Sequence, residues 1–257
     1  MTKHIKPRSV EILGVRVDDV TYGEACDIAE ALIRRGGVHQ FATVNPEFVM
    51  AAQDDEEFQN VLANTALNVP DGAGVVWAAG RRGMKLRERV AGVDLMLELC
   101  ALASRHRWRV FFLGAQPGVA ERAAAQIVLT YPGLTVAGTH AGTPHRAEEL
   151  PIVERVRAAR PHLLFVAYGA PAQDKWLARN LPLLSPGASV GQEGTHGIVG
   201  MGVGGAFDFI AGVQKRAPAW MQQANLEWLY RLARQPWRWR RQTALIRFVV
   251  AAMLESR

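Results

Sequence analysis

The chain has 257 residues, of which 49% are hydrophobic and 21% charged, enough to bury a sizeable core. Its net charge of +6 is unevenly spread: residues 225–257 hold seven arginines against Glu227 and Glu255, while the preceding 224 residues hold 23 basic and 22 acidic groups. A near-neutral body with a basic end argues against a nucleic-acid-coating domain and for one localised anionic partner.

In chain order, the first residues lack the apolar run of a secretory leader, and "EILGVRV" reads as a strand. Thr21 with Glu24 forms a capping box that opens a helix reaching Arg35 and stopping at Gly36-Gly37. Cys26 and Cys100 lie far apart with no CxxC or Cys/His spacing, so they read as reduced thiols, not metal ligands. "HQFAT" is the next strand, handing over at Asn45-Pro46, an N-cap followed by proline at the first helical position. "ALNVPDGAGVVWAAG" reads as a short strand, a turn and a helix. "WRVFFLGA", "LTVAGTHAG", "HLLFVAYGA" and "GIVGMGVGGAFDF" repeat a strand-then-glycine pattern beside helices. Residues 185–197, rich in Gly and Ser, read as an exposed insertion before the last core strand.

This alternation implies an α/β fold, a Rossmann-like and mostly parallel sheet with helices on both faces. It places candidate site loops at the strand carboxyl ends. The character changes at Pro218, so residues 1–217 read as the core and 218–257 as a C-terminal helical appendage. Leu226, Leu229, Tyr230 and Ala233 give one helix an apolar face, and Pro236 ends it. A second helix alternates Trp237, Leu245, Phe248 and Val249 with arginines. This pattern suits a helix lying in the interface of an anionic membrane. It suits equally a helical hairpin packed on the body, and the exposed apolar surface could also join copies into a homo-oligomer. The longest apolar run near the end is seven residues, against about 20 for a membrane span. The chain therefore reads as cytoplasmic.

Asp71, at a strand end before a Gly-x-Gly turn, could act as a general base or cap the following helix. Thr43 and Asn45 suit hydrogen bonding to a substrate, though Asn45 is also a good N-cap. The clusters Gly72–Gly74 and Gly200–Gly205 lack the order of a dinucleotide fingerprint and are read as tight turns that could approach a diphosphate or nucleoside. No Walker lysine, Asp-x-Asp after a strand, paired histidines or G-x-S-x-G is present, which disfavours metal-dependent and serine hydrolases.

Eight segments occur in order: "TVNPEFVMAA", "NVPDGAGVVWAA", "ERVAGVDL", "VFFLGAQPGVAERAA", "GTHAG", "YGAPAQDKWLARN", "GVGGAFDFIAGVQKRAPAWMQ" and "LEWLYRLARQPWRWRR". Together they resemble the WecG/TagA/CpsF family of bacterial glycosyltransferases over nearly the whole chain. The resemblance implies inverting, metal-independent transfer of a sugar from a UDP-sugar to a polyprenyl-diphosphate-linked sugar, typically N-acetylmannosamine onto N-acetylglucosamine, with no cofactor. It implies a peripheral location on the inner face of the cell membrane. It carries the catalytic aspartate onto Asp71, with Thr43 and Asn45 beside it. Gln173 and Asp208 become nucleotide contacts, with Gly114 in a turn near the nucleotide-sugar and Arg89 and Asp94 near the pocket. Where the family often has an aromatic available to the nucleoside, this chain has Thr143. Arg231, Arg238 and Arg241 match the arginines that address diphosphates. UDP-glucose or a UDP-uronic acid as donor, and a non-catalytic protein that binds lipid diphosphates, are the alternatives.

Overall fold

A computed structural model describes residues 7–185, 196–223, 227–234 and 239–255. The chain opens on β1 (Ser9–Ile12) and β2 (Val15–Asp18), an antiparallel hairpin where the sequence suggests one strand. The reason is local. Leu13 and Gly14 both take positive φ, 48° and 75°, the geometry of a two-residue hairpin turn whose twist matches its strands.

The remaining strands form one parallel sheet. They are β3 (Val38–Val44), β4 (Leu67–Pro70), β5 (Arg109–Gly114), β6 (Thr135–His140), β7 (Leu163–Ala167) and β8 (Ile198–Gly202). Their order across the sheet is β4-β3-β8-β7-β5-β6, and every neighbouring pair runs parallel. All six carboxyl ends therefore share one edge, and the loops that follow them converge there. Side chains of the hairpin region cover the outer flank of β4: Asp18 Oδ2 accepts from Asn68 N at 2.7 Å, and an Arg16 guanidinium N–H donates to Thr65 O at 2.8 Å. Backbone groups that would otherwise invite another strand are thus occupied.

Alternate strand residues face opposite layers. Phe41, Phe112, Phe165 and Met201 pack against α1 (Tyr22–Arg35), α5 (Gly92–His106), α6 (Val119–Thr130) and α9 (Ala206–Ile210). On the other face Phe111, Leu113, Leu164 and Val166 meet α7 (Arg146–Ala159) and α8 (Ala172–Leu184). Ala42 and Val44 join a cluster with α2 (Pro46–Asp54), α3 (Glu56–Asn64), α4 (Ala73–Arg81) and the hairpin. Helices thus cover both faces, as the alternation of elements implies. The helix starts follow their caps. Thr21 and Glu24 complete the capping box of α1, and Asn45 Oδ1 accepts from Phe48 N at the start of α2.

The C-terminal region contributes α10 (Ala219–Gln223), α11 (Glu227–Arg234) and α12 (Trp239–Leu254). α12 is docked on the body. Phe248 is fully buried and Ala252 nearly so, both in the cluster built by α2 and α4. Its other side leaves Ile246, Val250, Met253 and Leu254 exposed. No helix among the described residues is long and apolar enough to cross a membrane. Of the insertion read at 185–197, residues 186–195 lie outside the described residues.

Because Phe248 fills a closed cluster, Phe248→Ala is expected to lower stability by about 3 kcal/mol, the usual cost of emptying an aromatic-sized site. The midpoint of urea unfolding followed by circular dichroism checks this, with the slope of the transition unchanged.

Candidate active site

β4 ends at Pro70, and the next residue is Asp71. Its backbone N–H continues the ladder by donating to Val44 O at 2.8 Å, so the side chain leaves the sheet at the carboxyl edge. The carboxylate does not cap α4: the N-cap there is Gly72, with no side-chain cap hydrogen bond. It accepts instead from Gly92 N at 3.3 Å, at the first turn of α5. Glycine at 92 makes this approach feasible, since a Cβ there would lie 3.0 Å from Thr43 Cγ2.

The segment leading to Gly92 is held at several points. Arg87 grips Asp19 and Glu24, Glu88 accepts from Tyr22 N at 3.0 Å, Val90 N donates to Pro70 O, and the Tyr22 hydroxyl oxygen accepts from Ala91 N at 2.7 Å. Between these anchors Arg89 faces a cavity of about 350 Å³. Asn45, Glu47 and Asp71 line it from the strand ends, and Phe209 and Arg216 from beyond β8. Glu227 and Trp228 of α11 and Leu245 of α12 complete it.

Burial pushes the Asp71 carboxyl up from 3.8 to about 6. The Gly92 N–H and the Arg89 guanidinium pull it down, whereas the carboxylates of Glu227 and Asp94 push it further up. Asp94 is itself bound by Arg216 through two hydrogen bonds of 2.6 and 2.8 Å, and Arg216 Nε lies 3.6 Å from Glu227 Oε1. A partly buried carboxyl poised near neutrality at a half-open cavity, with the Arg89 guanidinium acting on it, can take a proton from a hydroxyl while cationic groups of the lining balance nearby anionic charge.

The family model for "Glycosyl transferase WecG/TagA/CpsF family" matches residues 10–257. The chain belongs to this family. It is 34% identical over 216 residues to the N-acetylglucosaminyldiphosphoundecaprenol N-acetyl-beta-D-mannosaminyltransferase of Bacillus subtilis (strain 168), covering 84% of this chain and 79% of the relative. The protein of the same name from Bacillus spizizenii is 32% identical, with 84% and 79% covered, and that from Staphylococcus aureus (strain NCTC 8325 / PS 47) is 30% identical, with 86% and 83% covered.

In this glycosyltransferase Asp71, Asn45 and Arg89 meet at one cavity. Asn45 lines the cavity while its amide oxygen accepts from Phe48 N in capping α2. Thr43 is buried behind the lining, packed under Gly92. Asp94 is not among the described lining residues and is paired with one of them, Arg216. Gln173, Gly114, Thr143 and Asp208 follow strands along the same sheet edge and are not among the described residues that line this cavity. Gln173 is buried, and its Oε1 accepts from Gly169 N at 3.1 Å and Gly204 N at 2.9 Å, tying together the loops after β7 and β8. Gly114, at φ 105°, lies where a Cβ would sit 2.8 Å from the Ala167 carbonyl carbon. Thr143 Oγ1 accepts from His145 N at 3.3 Å, shaping the turn into α7. Asp208 lies in the first turn of α9, beside the cavity residue Phe209. Arg231 and Arg241 lie on α11 and α12, their side chains outside the description, and Arg238 falls outside the described residues. Among the described residues, no three His, Cys, Asp or Glu side chains are grouped to hold a metal ion.

Sequence reasoning passed over Arg216, Glu227 and Trp228. A signal existed for Glu227: it is the sole acid between 225 and 254, in a stretch otherwise dense in arginine. Arg216 and Trp228 stand in segments already singled out, but no local pattern says that they turn inward.

The raised Asp71 carboxyl has a consequence for stability. Its proton is held more tightly in the folded chain than in the unfolded one. Below about pH 4 both states are protonated and nothing is lost. Stability then falls as pH climbs to about 6, by up to about 3 kcal/mol. Asp71→Asn is expected to resist urea better than the unaltered protein at pH 8 and equally at pH 4, read from paired unfolding curves.

Proposed function

We propose that this chain transfers N-acetylmannosamine from a UDP-sugar to N-acetylglucosamine on undecaprenyl diphosphate, with inversion at the anomeric carbon. The names of its relatives supply the acceptor and the sugar moved, and the family resemblance supplies UDP as its carrier. The observation that carries the chemistry is the Asp71 carboxyl, set at the cavity beside Arg89, freed from helix capping and pushed up to about 6.

Asp71 takes the proton of the acceptor hydroxyl while that oxygen forms its bond to the anomeric carbon. The bond from that carbon to the β-phosphate oxygen breaks on the opposite face, and UDP departs with the electron pair. Charge grows on the departing diphosphate, so preorganised donors there lower the barrier. The glycine-rich turns after β5, β7 and β8, whose backbones Gly114 and Gln173 bring close together, are suited to hold the nucleotide. Arg89 and the arginines of α11 and α12 suit phosphate oxygens, since a guanidinium offers a planar fork of donors.

Residues 218–257 act as an appendage at the inner face of the cell membrane. Support comes from the exposed apolar side chains of α12 and from the net +5 charge of residues 225–257, the combination that draws a helix to an anionic lipid surface.

The test is sugar transfer followed by mass spectrometry, with protein in liposomes, polyprenyl-diphospho-N-acetylglucosamine and a panel of UDP-sugars. One added N-acetylhexosamine is expected, and Asp71→Asn is expected to slow transfer at least 100-fold while UDP still binds. The acid limb of the rate profile is expected near pH 6, and Arg89→Gln should move it upward, because the guanidinium holds the carboxyl down. Transfer from UDP-glucose or a UDP-uronic acid alone would replace the donor. More than a tenth of full activity in Asp71→Asn would remove Asp71 as the base.

A further inference from the structure

Among the described residues, the cavity beside Asp71 is lined by the carboxylates of Glu47, Asp71 and Glu227 and by the guanidiniums of Arg89 and Arg216. Arg216 is engaged by both oxygens of Asp94. A neutral, polyhydroxylated ring would meet acceptors for its hydroxyls and an indole for its C–H face, the usual make-up of a small-molecule pocket.

Two of those groups come from α11. The Glu227 side chain is 18% exposed, and its nearest described cation is Arg216 Nε at 3.6 Å, too long for a hydrogen bond. Its oxygens therefore keep acceptor capacity toward the cavity. Trp228 follows it, 43% exposed although it lines the cavity wall, so a large apolar face stands uncovered beside the base. α11 extends over eight residues from Glu227 to Arg234, roughly 10 Å along the helix axis. Arg234 is exposed and sits over the Tyr230 ring at 5.5 Å. One helix thus presents acid and indole at its start and positive charge at its far end. A polyprenyl-linked sugar has the same order: neutral ring first, diphosphate next, lipid last.

We infer that Glu227 and Trp228 form the subsite for the acceptor's terminal N-acetylhexosamine, opposite Asp71, with the diphosphate lying further along α11. The inference rests on the transfer reaction proposed above. In it Glu227 accepts hydrogen bonds from ring hydroxyls or the amide, and Trp228 stacks on the ring. Both are specificity residues of the acceptor, and neither touches the donor nucleotide.

Binding measured without donor tests this independently of turnover. The probes are farnesyl diphosphate and farnesyl-diphospho-N-acetylglucosamine, titrated by calorimetry into the full chain. The unaltered protein is expected to bind the sugar-bearing probe at least tenfold more tightly. In Glu227→Gln and Trp228→Ala that preference should fall to threefold or less. Binding of the sugar-free probe and of UDP should stay within twofold, and Trp228→Phe should recover part of the loss. A preference that persists in both variants would overturn the subsite. So would equal weakening of both probes, which marks a structural role. Tighter binding of the sugar-free probe to Glu227→Gln would also overturn it, by placing the carboxylate against the diphosphate. Absence of sugar transfer by the unaltered protein is a separate result, and it bears on the reaction proposed above.

Discussion

Holding a carboxylate half-shielded from water at the end of a parallel strand is the constraint around which this molecule is arranged. Withdrawing a charge from water is costly, and the chain lessens that cost with one backbone N–H, from Gly92, and with the Arg89 guanidinium. Gly92 can come close because it has no side chain to press on Thr43, and its approach depends on the segment that Tyr22, Glu88 and Pro70 hold in place. Much of the edge geometry follows from this. The sheet supplies the position of Asp71, the helix start supplies a partial counter-charge, and the C-terminal helices close the space above it.

Charge is distributed with the same economy. The body is nearly neutral, so the field of the protein is concentrated in its last residues, where an anionic partner would be drawn. Within that basic stretch Glu227 is turned toward the cavity, and its charge raises the proton affinity of Asp71. Docking of α11 and the proton affinity of Asp71 are therefore linked in one electrostatic unit, with Arg216 spanning Asp94 and Glu227 at its centre.

Much of this could be read from the residues. Strand runs ending in glycine gave the parallel sheet, and Thr21 with Glu24 and Asn45 with Pro46 gave helix starts found where expected. Such signals are short-range, set by backbone dihedrals and by donors three residues apart. The turn at Leu13-Gly14 was missed because a leucine at positive φ carries no compositional mark. Asp71 was ambiguous because strand-end bases and helix caps share residue type and position; only the direction of the side chain separates them. Gln173 shows the opposite difficulty. The family pattern marks it as a ligand contact, while its carbonyl oxygen is engaged by two backbone N–H groups, a role that involves partners distant in sequence. The periodicity of the tail fitted a membrane helix and a packed helix equally. The burial of Phe248 shows that one face packs on the body, and it leaves the other face uncovered.

The docking of α12 also has a mechanical side. A Cβ on Gly74 would lie 2.7 Å from Pro46 Cγ, 3.5 Å from Phe248 Cε1 and 3.7 Å from Leu245 Cδ1. The turn that begins with Asp71 is thus pressed against the start of α2, where a methyl group would clash, and lies in ordinary contact with the inner face of α12. A helix packed there cannot roll inward without displacing what it touches, because packed interiors transmit strain instead of absorbing it. The inner face of the last helix rests three residues from Asp71, while apolar side chains of its other side face outward.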